Sequence, residues 1–204
     1  MKKYFLHIAL IACNICAAQQ STEPCPAGGK SDNAIERHDN YLKNRDITPG
    51  VADANINLDT LLKGMPDDSA RFSANTFVTV TGWVVEAEDI GPEPCNCFST
   101  DTTQSTIRIY LATSLNAWKD SIMVIELTPK FRSLSHLNTD ELFEEKIQVS
   151  GYLMFNHETK RFALNGCKKC HTVDRKTSWE IAPVIKLQVI GKAHKGAEIK
   201  MAGQ

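Results

Sequence analysis

From Phe77 onward the chain alternates with a period of two: Val78, Val80, Gly82 and Val84 on one side, Thr79, Thr81, Trp83 and Val85 on the other. That pattern describes a strand buried on one face. Gly82 in mid-strand predicts a bulge or sharp bend, as closure of a barrel requires. Four further runs follow, at 107–111, 122–127, 147–155 and 179–189, with Arg108 and Tyr110 on the far side of the second and Pro129 ending the third. Asn138 followed by Glu141 predicts one short helix, carrying Leu142 and Phe143, between the third and fourth strands. Five strands with a helix at that place is the order of an OB-like closed barrel. Such barrels carry ligands on strands two and three, between the loops joining strands one to two and four to five. A sandwich needs more strands, and a doubly wound fold needs helices between most of them.

The segment before the barrel is of another kind. Met1-Lys2-Lys3, an apolar run at 4–12 and small residues up to Ala18 describe a secretory signal peptide over residues 1–18. The run is too short to cross a bilayer, so the expected location is periplasmic or extracellular. Leu10-Ile11-Ala12-Cys13 resembles a lipoprotein box, which would make Cys13 a lipid anchor; the brevity of the apolar segment favours simple export. Residues 19–31 read as a mobile polar leader. Residues 32–71 read as a helical arm, with Asn33 and Glu36 as a capping box, Ile35, Tyr41 and Leu42 on one face, and His38 on the inner side. Ile56, Leu58, Leu61 and Leu62 add an apolar cluster, too small to fold alone, so the arm packs on the barrel domain of residues 72–190. Residues 191–204 are a Lys/Gly/Ala-rich tail, expected to be disordered. Lys plus Arg number 23 against 24 Asp plus Glu, which disfavours a partnership with nucleic acid that depends on a basic surface.

Beyond residue 18 stand Cys25, Cys95, Cys97, Cys167 and Cys170, an odd number, so at least one thiol must be free, metal-bound or paired to something else. Cys95 and Cys97 fall on the first loop and Cys167 and Cys170 on the last, and the fold brings these loops together. Three readings follow. An exported protein gains from a disulfide staple between long loops. The four thiols, with His171 or His157 as substitutes, match zinc ligands. Cys167-Lys168-Lys169-Cys170-His171 matches the attachment motif of c-type haem, with Met154 or His157 as a sixth ligand. The staple needs no cofactor; zinc and haem c are the alternatives.

Elsewhere the chemistry is sparse. Trp83, Arg108 and Tyr110 are binding-face candidates for stacking on bases or sugars, or else they pack under the arm or in cross-strand pairs. Asp101, Glu126 and Glu180 are scattered carboxylates with no acid/base spacing, and Glu180 is expected to pair with Arg108 or Lys186. No nucleophile elbow is present.

From Leu42-Lys43-Asn44-Arg45 through Leu61-Leu62 and Arg71-Phe72 to the last strand, the chain resembles a family of uncharacterised exported bacterial OB-fold-like proteins. Its marker is Trp179-Glu180-Ile181-Ala182-Pro183-Val184, with His157 after Phe155-Asn156 as a further family position. In the family a His usually stands where this chain has Ala182, so any metal or catalytic role of that residue is weakened here. The resemblance implies the fold and export but no activity. The expectation is an exported binding module with an unknown partner: an oligosaccharide, a peptide or, least favoured, nucleic acid. The alternative is a metal- or haem-binding redox protein built on Cys167, Cys170 and His171.

Overall fold

The computed structural model describes residues 24–46, 48–64, 67–135, 138–166 and 172–192. The signal peptide, Cys13, Cys167, Cys170, His171 and nearly all of the tail lie outside the described residues.

The five strands are β1 (Phe77–Asp89), β2 (Ile107–Ala112), β3 (Ile122–Leu127), β4 (Glu145–Phe155) and β5 (Trp179–Lys192), and they close a barrel in the order β1-β2-β3-β5-β4. All neighbours are antiparallel except β3 and β5, which pair parallel at Val124↔Glu180 and Ile125↔Ile181. This is the expected OB-like arrangement. β1 is long enough to pair with β4 along its first half and β2 along its second. The bulge that lets it turn falls between Val84 and Glu86, not at Gly82. Gly82 has another purpose: a Cβ there would come within 2.7 Å of both Leu111 and Leu58. It admits the arm against the sheet, a close approach that only glycine permits.

Inward side chains fill the barrel, among them Val78, Val80, Ile109, Met123, Ile125, Val149 and Ile181, with Leu61 from the short helix α2 (Leu58–Leu62) fully buried in the same cluster. The indole of Trp179 donates to the Asp68 carbonyl at 2.9 Å and meets the rings of Phe72 and Phe155 edge-on. The 179–184 stretch is therefore core: Trp179, Glu180 and Pro183 are all buried, and the Ala182–Pro183 bond is cis.

The helix between β3 and β4 is α3 (Pro129–Ser135), earlier in the chain than expected. Pro129 does end the strand, but it also suits a first helical turn, where its missing N–H costs nothing. The 139–142 stretch is a short 3-10 turn instead.

The arm departs further from expectation. In α1 (Ala34–Asn44) Asn33 does cap the helix, accepting from the amides of Ile35 and Glu36. Yet Ile35 and Tyr41 are more than half exposed, His38 is exposed, and the buried face is Asp39, Asn40, Leu42 and Lys43. Hydrophobic spacing misassigned this face because its seat is charged. Nor is the leader free from Pro24 on. The Lys30 amide donates to the Pro94 carbonyl, and the Asn40 and Asn44 side chains donate to the carbonyls of Gly28 and Ala27. Gly29 sits at φ 63°, where a Cβ would lie 2.3 Å from the Pro94 oxygen, so no other residue fits.

Candidate functional site

On OB-like barrels the outer side of β2 and β3 is the customary ligand face, and here that face is charged and covered. Arg108 and Tyr110 project from β2, Glu126 from β3, Glu180 from β5 and Glu88 from β1. Arg108 spans Glu88 at 3.2 Å and Glu126 at 3.4 Å, and the Tyr110 hydroxyl donates to Glu88 at 2.8 Å. From the β4–β5 connection Arg175 donates to Glu180 at 2.6 Å and to Asp174 at 2.8 Å, while Asn156 donates to both Glu180 oxygens. From α1, Lys43 Nζ lies 2.7 Å from Glu126 Oε2 and 3.8 Å from Glu93. The Glu126 contact is a close ion pair without good hydrogen-bond alignment.

Glu126 and Glu180 are completely buried. They are not scattered surface charges, and Glu180 takes Arg175 rather than Arg108 or Lys186. Burial opposes the Glu126 charge, but Lys43 and Arg108 outweigh it and hold the carboxyl below its usual range. Glu180 goes the other way: burial, then repulsion from Glu126, push it up to about 7. Burial raises the Tyr110 phenol to about 12. Lys43 stays protonated because Glu126 and Glu93 outweigh its own burial.

Of the binding-face candidates, Tyr110 is buried and Arg108 committed to two carboxylates; Trp83 is half-buried, with the Lys146 ammonium 5.6 Å from its ring centre. Arg108 and Tyr110 are tied into the charged face, Trp83 packs with Lys146, and none of the three stands open as a stacking platform. His157 is half-exposed and bonded through Nδ1 to Asp39 of α1 at 3.0 Å.

The cysteines also pair differently from the loop-to-loop staple. Cys25 of the leader is bonded to Cys97, 72 residues away. Among the described residues Cys95 is the free thiol: buried and donating to Glu93 at 2.9 Å. Burial raises its thiol well above the usual range. The four-thiolate zinc set is thus not assembled, since Cys97 is spent and Cys95 faces inward. Of the two sixth ligands in the haem reading, Met154 is packed under Leu42 and Ala182, whereas His157 is bonded to Asp39 through Nδ1 and keeps Nε2 for another partner. Among the described residues no group of three or more His, Cys, Asp and Glu is placed to hold a metal ion, and no helix is long and apolar enough to cross a membrane.

Among the described residues a groove of about 1240 Å³ lies open beside the β1–β2 loop, lined by the Cys25–Cys97 bond, Phe98, Asp101, Gln104, Asp46 and Lys130 among others. Asp46 and Lys130 form an ion pair. Cys97 and Phe98 sit consecutively in the left-handed region, at φ 56° and 59°, and the Phe98 ring is half exposed. Two such non-glycine residues in a row are a strained conformation that the surrounding bonds must hold. The Phe98 amide donates to the Glu93 carbonyl, and the Cys97 amide to that of Pro94.

The fold and its covered face define this protein as an OB-like five-stranded barrel with a clasped N-terminal arm. No protein-family model and no curated protein matches the sequence. Among solved structures it is similar to asparaginyl-tRNA synthetase from Entamoeba histolytica, at 14% identity and a TM-score of 0.36, over 64% of this chain and 24% of the synthetase. This chain therefore spans about a quarter of that protein's length, and no activity is transferred from it.

Proposed function

We propose that this chain is an exported binding module that takes a neutral oligosaccharide in the groove beside the β1–β2 loop. The observation that carries this reading is the half-exposed Phe98 ring, held in a strained backbone next to a covalent clasp, within a groove of mixed lining: Pro24, Ala27 and Pro129 beside amides, hydroxyls, Asp46, Asp101 and Lys130. An aromatic face offers a sugar ring an apolar platform, and the polar rim supplies donors and acceptors for its hydroxyls. Net charge near zero argues for an uncharged ligand. The paired carboxylates Glu126 and Glu180 are completely buried, away from any substrate, which supports binding over catalysis. Export is supported by the Cys25–Cys97 disulfide, a bond that persists outside the reducing cytosol.

The test is an array of neutral glycans, acidic glycans and peptides probed with the secreted protein, followed by calorimetry on the hits. A neutral glycan is expected to bind, with Phe98→Ala weakening it at least tenfold. Preference for peptides or acidic glycans, or binding that ignores Phe98→Ala, refutes the reading. The intact mass of the same material decides the haem alternative at Cys167, Cys170 and His171, which predicts a covalent haem increment.

A further inference from the structure

We infer that α1 is a detachable internal ligand of the outer sheet face, locked on by the Cys25–Cys97 clasp, and that this face is a second site for a lysine-bearing peptide. The inference concerns the sheet and does not rest on the groove.

The first ground is how α1 is seated. A helix that belongs to a core buries an apolar stripe. Here Ile35 and Tyr41 face water, and the buried face is Asp39, Asn40 and Lys43 with Leu42 alone to meet Met154 and Ala182. An 11-residue helix is marginal on its own. Its polar contacts (Lys43 to Glu126, Asp39 to His157, Asn40 to the Gly28 carbonyl) all exchange for water when it lifts.

The second ground is charge complementarity. Around the seat stand Glu88, Glu93, Glu126, Asp174 and Glu180 against Lys43, Arg108 and Arg175. Once Lys43 leaves, Glu88, Glu93, Glu126 and Asp174 face two guanidinium groups, before any charge on Glu180 is counted, so the vacated place calls for a cation. The occupant that fits is an ammonium on a short peptide that also supplies a carboxylate one turn earlier, as Asp39 does for His157. Asp39 and Lys43, four residues apart on the helix, provide that pattern internally.

The third ground is tethering. α1 is fixed at both ends: at its start by the clasp and the Pro94 contacts, and past its end by α2, whose Leu61 is fully buried. A dithiol reductant breaks the Cys25–Cys97 bond by giving it two electrons and two protons; two thiols form, and the dithiol becomes a disulfide. The start of α1 is then held by hydrogen bonds alone, such as Lys30 to the Pro94 carbonyl, while Arg45, Asp46 and α2 still anchor its far end, so its effective concentration at the sheet falls.

The test uses the full chain, oxidised, reduced with dithiothreitol, and as Cys25→Ser/Cys97→Ser. In hydrogen exchange the amides of residues 34–44 are expected to exchange at least tenfold faster once the clasp is open, while β2 and β3 keep their protection. A fluorescent peptide of residues 32–46 is expected to bind the clasp-free variant at least tenfold more tightly than the oxidised protein, and the same peptide with Lys43→Met to lose that binding. Unchanged exchange in α1, loss of protection by α1 and the strands together, or equal binding of the Met peptide each overturns the proposal.

Discussion

Glu180→Gln is the substitution for which the structure makes its sharpest demand. The carboxyl is fully buried, and its proton is held up to about 7 against an ordinary 4.5. An acid whose folded value is raised supports the fold while protonated, below its unfolded value, and that support is lost as pH climbs through the folded value. Each tenfold difference in proton affinity between the folded and unfolded chain is worth about 1.4 kcal/mol. The wild-type protein is therefore expected to lose about 2–3 kcal/mol of stability from this one group between pH 5 and pH 8. Glutamine copies the protonated form. Its amide oxygen still accepts from Arg175 and from Asn156, at the places where Glu180 Oε1 accepts at 2.6 and 3.2 Å. Urea unfolding followed by tryptophan fluorescence at pH 5, 6, 7 and 8 reads the difference directly. The variant should lie within about 1 kcal/mol of wild type at pH 5 and exceed it by about 2–3 kcal/mol at pH 8. In a domain of this size that gain corresponds to roughly 4–12 °C in Tm. Parallel pH profiles for the two proteins, or a variant weaker than wild type at pH 8, would show that Glu180 works as an ionised partner of Arg175 and refute the reasoning.

Three other outcomes follow. Cys25→Ser/Cys97→Ser should lower stability by about 2–4 kcal/mol in thermal melts, the usual effect of losing a cross-link over a long loop. Leu61→Ala, which opens a void in the barrel core, should cost about 2–5 kcal/mol in urea unfolding with little change in slope. Cys95 should resist iodoacetamide at pH 8 in the native protein and react only after denaturation, as peptide mapping by mass spectrometry can show; rapid native labelling would contradict its burial.

The barrel was legible because its signal is local. Alternation in β1 and the apolar runs of β2 to β5 mark strands wherever the chain is buried on at least one face, and strand order narrows the topology. Pro129 misled, since one residue ends a strand and starts a helix with equal ease. The charged face was only half legible. Glu126 inside 122–127 and Glu180 inside 179–184 each interrupt an apolar strand, which signals a buried partner, but their partners are remote. Lys43 and Asp39 come from a helix whose exposed Ile35 and Tyr41 pointed to the wrong side, and Arg175 from a polar loop without periodicity. The cysteine partner was hidden for the same reason: Cys25 lies in a leader too polar to suggest order, and only the Pro94, Asn40 and Asn44 contacts hold it near Cys97.

The position of Cys95 biases which bridge the folded chain keeps. Within the β1–β2 connection Cys25 meets two thiols separated by a single residue, and the fold tells them apart by burying Cys95 and leaving Cys97 at the groove wall. A bridge made to Cys95 instead would leave the Cys97 thiolate beside it, able to attack that bond and restore the native pairing by exchange.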